Sequence, residues 1–553
     1  MRLEPESPFT PERHVRNLGI GILLVAMAAP RGGAAQQSSD SYEIAYAFEA
    51  KTPASHIGTV SLQASGPLAD TVEIQMPAWY PGRYAIYHFA ANVLDAQATC
   101  NGHPVPSPRI DQQTWLVRCP GRRRLGGSTL VMTWHEWWND LSGSTSQIDS
   151  LHINLNPGTI FPYVVGHKAD PVTVTYAGPA GWSVMNGAVF TAPAGTVRQS
   201  FQNYDVFIDT PTEISARFTL DTFSFERTQY RLLIHAEGDT GMGMRERLRQ
   251  DLRKLVATDV ALWGEQPMER YLFLAHYIPG NRGGGDGMEH LTSTQVITAG
   301  SLGDTANYLR RLESYGHEFF HSWNMKRLRA RELGPWDYTR ENYTTTLWVG
   351  EGWTNYYGAR TVYRAGLWDR ARYRARVAGN IAYLQQTPGR LVMSAEEASL
   401  SAWFMDRVPL RQQTDLSRSS IDYYTKGEAL AWLLDLEVRA RTSGAKTLDD
   451  VLRLLWQRCW KGANASYYLQ GRGYTDADVL QALNDVSGTD FSDFFKRYVA
   501  GVEELPYGVT LSKVGLRLME DGGGQGPNVL RIEADSTAPE PTRQLGAAWL
   551  EGR

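Results

Sequence analysis

Two histidines four residues apart flank a glutamate in "SYGHEFFHSWNMKRLRA", which begins at Ser314. Side chains at this spacing share a face on an α-helix. His317 and His321 can therefore reach one metal ion only if this stretch is helical, and Glu318 then sits beside them, aimed at a water on that ion. A catalytic zinc takes three protein ligands and keeps one position open. The third ligand is expected in "LWVGEGWTNYYG", where Glu351 is placed mid-helix among Trp348, Gly350, Gly352 and Trp353. A carboxylate in so apolar a setting needs a partner. Asn355, one turn further on, is placed to hydrogen-bond the outer nitrogen of a ligating histidine.

Two further stretches carry chemistry. "GGGDGMEHLTST", from Gly283, lacks the G-K-[ST] ending of a phosphate loop. Its Gly287-Met288-Glu289-His290 core puts a glycine beside an acid, which lets a strand edge approach a ligand closely. Glu289 there can pair with a free α-ammonium. In "IDYYTKGEA", Tyr424 opens a Y-x-K-G element at a helix start, from which a hydroxyl can point into a cleft and donate to an oxyanion.

The rest of the chain supplies a frame for these elements. At 553 residues and a formal charge of -4, with no long basic block, it predicts several domains and no nucleic-acid partner. Residues 1–35 read as a secretory signal: Arg13 and Arg16 precede the apolar run "LGIGILLVAMAA", with a small-residue cut after Ala35. That places the protein in the periplasm or outside the cell. The run is too short to span a membrane comfortably, and no other stretch approaches the length needed, so no stable span is expected after signal removal. Of three cysteines, Cys100 and Cys119 could pair and Cys459 is left over.

Residues 41–221 alternate in strand fashion ("YEIAYAFEA", "TVEIQM", "STLVMTW") between Pro- and Gly-rich turns, which predicts an all-β sandwich or saddle. Strands and a helix over Met242 to Trp263 follow, then mostly helix, in an α+β arrangement. The expected divisions are a catalytic unit over 222–370, a helical part over 371–504, and a Gly-rich, strand-like segment over 505–553. Thr447, Thr475 and Thr489 are well placed as N-caps.

The order G-M-E-H, H-E-x-x-H, distal E-G, Y-x-K-G resembles that of the gluzincin aminopeptidases, the broad group of aminopeptidase N. The chain resembles the glycyl aminopeptidase family more closely, also through "PAWYPGRYAIYHFA", "YDVFIDTPTEI", "HEFFHSWNMKRLR", "WVGEGWTNYY" and "YYTKGEAL". That resemblance implies an N-terminal β domain, a thermolysin-like catalytic domain and a PDZ domain, here short and incomplete after Leu505. It implies one Zn²⁺ per chain held by His317, His321 and Glu351, with Glu318 acting on the water, Tyr424 on the oxyanion and Glu289 on the substrate's free amine beside Gly287 and Met288. It also implies peptide substrates with free N-termini and a preference for glycine and alanine. Asp286 stands where the family more usually has glycine. Two rivals remain at this point: a zinc endopeptidase with the same core, and a peptide-binding protein derived from a retired peptidase.

Overall fold

The computed structural model describes residues 41–119, 127–188, 195–237, 241–281, 285–305, 307–405, 419–462, 469–521 and 529–553. The expected signal segment lies outside them. Strand alternation is realised directly: in Glu43–Glu49, Ile44, Tyr46 and Phe48 point inward and their neighbours outward. A seven-stranded sheet is built around Glu43–Glu49, which pairs antiparallel with Ile57–Gly66 and parallel with Val172–Ala177. Sheets of three and four strands complete the N-terminal part. A disulfide joins Cys100 to Cys119, and Cys459 is buried and free.

A five-stranded mixed sheet follows, with its strands in the order Thr219–Phe225, Thr228–Ala236, Arg270–Tyr277, Ser293–Thr298, Asp286–Glu289. The change of sheet thus falls between Ser215 and Thr219, and the expected boundary at 221 lies inside a strand. Asp286–Glu289 is the edge strand, antiparallel to its one neighbour. The Tyr308–Phe320 helix packs beside it, and the helices Gly352–Arg364 and Tyr423–Arg441 pack beyond.

Glycines set how closely these three helices approach. A methyl on Gly352 would lie 2.6 Å from the carbonyl carbon of Gly427, and one on Gly427 would lie 2.9 Å from the Cα of Gly352. Likewise a methyl on Gly358 would meet the backbone nitrogen of His317 at 2.9 Å. Backbone therefore meets backbone at both crossings, and the residues next to these glycines are brought together.

Thr447 and Thr475 cap their helices, each in a capping box. Thr489 does not; the next helical turn starts after Phe491, and Thr489 instead bonds Ser487. After Leu505 the chain forms a short helix, Tyr507–Ser512, a hairpin of Leu516–Asp521 with Val529–Ala534, and a helix, Glu540–Leu550. The described residues supply two strands there and form no PDZ sandwich among themselves. This tail docks on the Gly352–Arg364 helix. Trp549 is buried and donates to the Tyr356 hydroxyl at 3.2 Å, and Arg360 donates to the Trp549 carbonyl at 3.3 Å. Among the described residues no helix is long and apolar enough to cross a membrane.

Candidate active site

The Tyr308–Phe320 helix carries His317 in its last turn and His321 at its C-cap. Glu351 was expected mid-helix. It lies instead at a junction, closing the Leu347–Gly350 turn and opening the Gly352–Arg364 helix. The Gly316–Gly358 contact brings the two helices close enough for the side chains to converge. His317 Nε2 lies 3.0 Å from His321 Nε2, and Glu351 Oε2 lies 3.5 and 3.2 Å from the two nitrogens. Bonds of 2.0–2.1 Å in a tetrahedron put ligand atoms about 3.3 Å apart. The triad matches that spacing, so these residues fit a zinc ion.

The tautomers agree. The Asn324 carbonyl can only accept, and His321 Nδ1 lies 2.8 Å from it, so Nδ1 carries a hydrogen and Nε2 is the nitrogen left to bind a metal. Asn324 is itself anchored by its amide, which donates to the carbonyls of Val349 and Gly350 at 3.1 Å and to the Thr354 hydroxyl at 3.0 Å. The orienting group for His321 is thus Asn324 rather than Asn355, whose side chain borders the cleft beside His317. Three residues C-terminal to a ligand in a turn, Asn324 had no periodic signal to reveal it.

Electrostatics favour a cation at the same point. Burial disfavours charge on His321, yet the Glu351 and Glu289 carboxylates outweigh it and lift the imidazole to about 10. Burial would raise Glu351, but His321 and His317 hold it below the ordinary carboxylate range. Burial pushes the Glu318 carboxyl up to about 8; His321 opposes this, and Glu289 and Glu351 reinforce it. Three carboxylates in a buried cluster draw in positive charge, which a dication and a substrate ammonium would supply.

Glu318 lies over Gly287. A methyl there would sit 2.7 Å from the Glu318 Cδ and closer still to its Oε1. Glu289, two residues along the same edge strand, shares that face, and a ligand atom from each of Glu289, Glu318 and His321 falls within 4.8 Å of the others. Met288 points the other way and is fully buried; a methyl on Gly143 would strike its Cβ at 2.8 Å. It packs the strand instead of facing the cleft. Tyr424 is the second residue of the Tyr423–Arg441 helix, whose N-cap is Asp422. Its ring lies 6.3 Å from that of His317 and lines the cleft, carried there by the Gly352–Gly427 contact one turn away.

The N-terminal sheets contribute residues that sequence reasoning did not single out. In the loop "WYPGRY", Gly82 adopts φ +102, a conformation glycine supplies, and comes close to the Glu289 carboxylate. Arg83 donates to Asp286 Oδ1 at 2.5 Å and to the Gly287 carbonyl at 2.7 Å, and the Gly143 N–H donates to Asp286 Oδ2 at 2.8 Å. Asp286 is therefore a brace between the N-terminal part and the edge strand. His290 is buried, with Nδ1 3.1 Å from Asp209 and 3.3 Å from the Tyr80 hydroxyl. Asp209 also accepts from Lys326 at 2.8 Å and from the Leu291 N–H at 2.8 Å. Four of the quoted stretches thus meet at the end of one short strand.

These features agree with the comparisons to known proteins. Residues 45–216 match the peptidase M61 N-terminal domain, and residues 310–430 match M61 glycyl aminopeptidase. Together the matches take in just over half of the chain. No curated protein matches it. Among solved structures, an aminopeptidase N family protein from Idiomarina loihiensis is similar at 26% identity and a TM-score of 0.76, over 86% of this chain and 79% of that one. An M1 zinc metallopeptidase from Deinococcus radiodurans shares the fold at 15% identity and a TM-score of 0.51, over 85% of this chain and 96% of that one. A mutant of that enzyme bound to a Tyr-Ser-Ala substrate is similar to the same degree. The chain belongs to the M61 glycyl aminopeptidase family and is a metallo-aminopeptidase.

Proposed function

We propose that this chain is an exported zinc aminopeptidase that removes small N-terminal residues, glycine and alanine, from peptides. The observation that carries the reading is Glu289, whose carboxylate comes within 4.8 Å of ligand atoms of Glu318 and His321. An ammonium held there leaves the first peptide carbonyl beside the triad.

His317, His321 and Glu351 would hold one zinc per chain, and zinc supplies Lewis acidity and a water of lowered pKa. The zinc enzymes among the structural relatives support that metal. Glu318 takes the proton of the attacking water and returns it to the leaving amine. Tyr424 donates its hydroxyl to the oxygen on which negative charge develops. Glu289 fixes the register from the amino end.

The preference for small residues is supported by a cavity of about 20 Å³ beside Glu289, between Gly82, Tyr84, Met325 and Trp336. That is room for about one water-sized group. Export is supported by the signal-like residues 1–35 and by the Cys100–Cys119 disulfide, a bond typical of oxidising compartments.

The test uses glycyl, alanyl, leucyl and N-acetyl-alanyl chromogenic amides on the protein lacking residues 1–35, before and after chelation and zinc return. Zinc-restored cleavage of glycyl and alanyl amides, weak cleavage of leucyl and none of the acetylated amide is the expected result. Cleavage of the acetylated substrate would establish an endopeptidase instead. A Glu289→Gln variant sharpens the distinction, because loss of the amine anchor damages only an aminopeptidase.

A further inference from the structure

The cleft over the triad, about 320 Å³, does not end at the catalytic residues. A second cavity of about 490 Å³ adjoins it, and the two share Asp286, Gly287, Arg310 and Ser314. The direction of this groove is fixed twice. Along the edge strand, Glu289 stands at the proposed amine site, Gly287 under Glu318, and Gly285 in the second cavity. Along the helix, Arg310, Ser314 and His317 share one face, so the line from His317 to Arg310 also runs into that cavity. A substrate whose amine sits at Glu289 therefore extends its carboxyl end past Ser314 toward Arg310.

Of the three arginines that line this groove, Arg83 and Arg311 are paired among the described residues and Arg310 is not. Arg83 is paired with Asp286, and Glu313 with Arg376 at 2.9 Å. Arg311 lies 3.9 Å from Asp304 and donates to the Ser301 carbonyl at 3.1 Å. Arg310 is exposed, and among the described residues its guanidinium has no hydrogen-bond or ion-pair partner. An unpaired guanidinium at the far end of a peptide groove is suited to a carboxylate, which it can bind bidentately.

The reach is right for a short peptide. Seven residues separate Arg310 from His317, about 10 Å along a helix. The terminal carboxylate of a tripeptide lies two residues beyond the first carbonyl, about 7 Å in an extended chain. A charge-assisted hydrogen bond of about 2.8 Å between guanidinium and carboxylate covers the remaining distance.

We propose that Arg310 binds the C-terminal carboxylate of short peptides, making tripeptide-sized chains with free carboxyl ends the preferred substrates. This rests on the aminopeptidase reading above. The test compares Ala-Gly-Gly, its C-terminal amide and a hexapeptide beginning Ala-Gly-Gly, on the wild-type protein and on Arg310→Ala and Arg310→Lys. The expected result is a wild-type kcat/KM about tenfold higher for the free acid than for the amide, carried by KM, with the hexapeptide also poorer. Arg310→Ala should bring the acid-to-amide ratio to about one, and Arg310→Lys should keep part of it. Cleavage of acid and amide at equal rates by the wild type, or a ratio untouched in Arg310→Ala, would overturn the role of Arg310 and leave the aminopeptidase standing. No cleavage of any of the three would overturn both.

Discussion

Gly287→Ala separates catalysis from folding and metal binding at one atom. A methyl at this position would lie 2.7 Å from the Glu318 Cδ, whereas carbons in ordinary contact sit about 3.5–4.0 Å apart. The carboxylate must therefore retreat by about 1 Å. Gly287 is not among the glycines of positive φ, so alanine brings no backbone strain and the strand can stay in place. A displacement of that size in a reacting group costs about 10²-fold in rate. Glu318 is not a metal ligand, so zinc content should be unchanged, and the melting temperature should stay level or rise slightly, since replacing glycine restricts the unfolded chain. The assay is kcat on a glycyl amide, together with zinc per chain by elemental analysis and Tm by calorimetry. A kcat within about threefold of wild type would refute the placement of Glu318 as the general base over this glycine. Loss of zinc along with activity would show instead that the strand had moved and the triad with it.

Tyr424→Phe should lower kcat by about 10²–10³ with little change in KM, as for removal of one oxyanion donor, and a near-normal kcat would exclude that role. Gly427→Ala should destabilise the protein by about 1–3 kcal/mol, read by urea unfolding, because the methyl meets the backbone of Trp348 and Gly352 rather than a movable side-chain end. Asn324→Ala should weaken zinc affinity by about 10–100-fold in a chelator competition, because it removes the brace that holds the turn under His321. Burial lifts the Glu136 carboxyl to about 8 despite the indole N–H groups of Trp138 and Trp134 that donate to it. A raised carboxyl keeps its proton in the folded protein while the unfolded chain releases it, so its contribution is complete below about pH 4.5 and declines toward pH 8, by about 1.4 kcal/mol per pH unit at most. Glu136→Gln should flatten that part of the stability–pH curve, and an unchanged slope would place the proton elsewhere.

Much of this protein is written locally. The four-residue spacing of His317 and His321 requires a helix, and the alternation in "YEIAYAFEA" requires a strand with one buried face. Thr447 and Thr475 mark helix starts because an N-cap satisfies neighbouring backbone N–H groups, a property of a few consecutive residues. Glu351 was legible as a ligand candidate because a carboxylate among tryptophans and glycines demands a partner, although its place between two helical segments was not. What the tertiary structure decided is which distant faces meet. Arg83 braces Asp286 across about two hundred residues, Asp209 joins His290 to Lys326, and Gly352 and Gly427 bring Tyr424 to the metal triad. No periodicity encodes such contacts, because they depend on how sheets and helices pack, and a glycine that admits a neighbouring backbone has the same sequence appearance as one that merely turns the chain. The fate of residues 505–553 shows the same division. Their strand-like, glycine-rich composition predicts β structure, which the Leu516–Asp521 and Val529–Ala534 hairpin realises, whereas the burial of Trp549 against Tyr356 and Arg360 joins stretches about 190 residues apart.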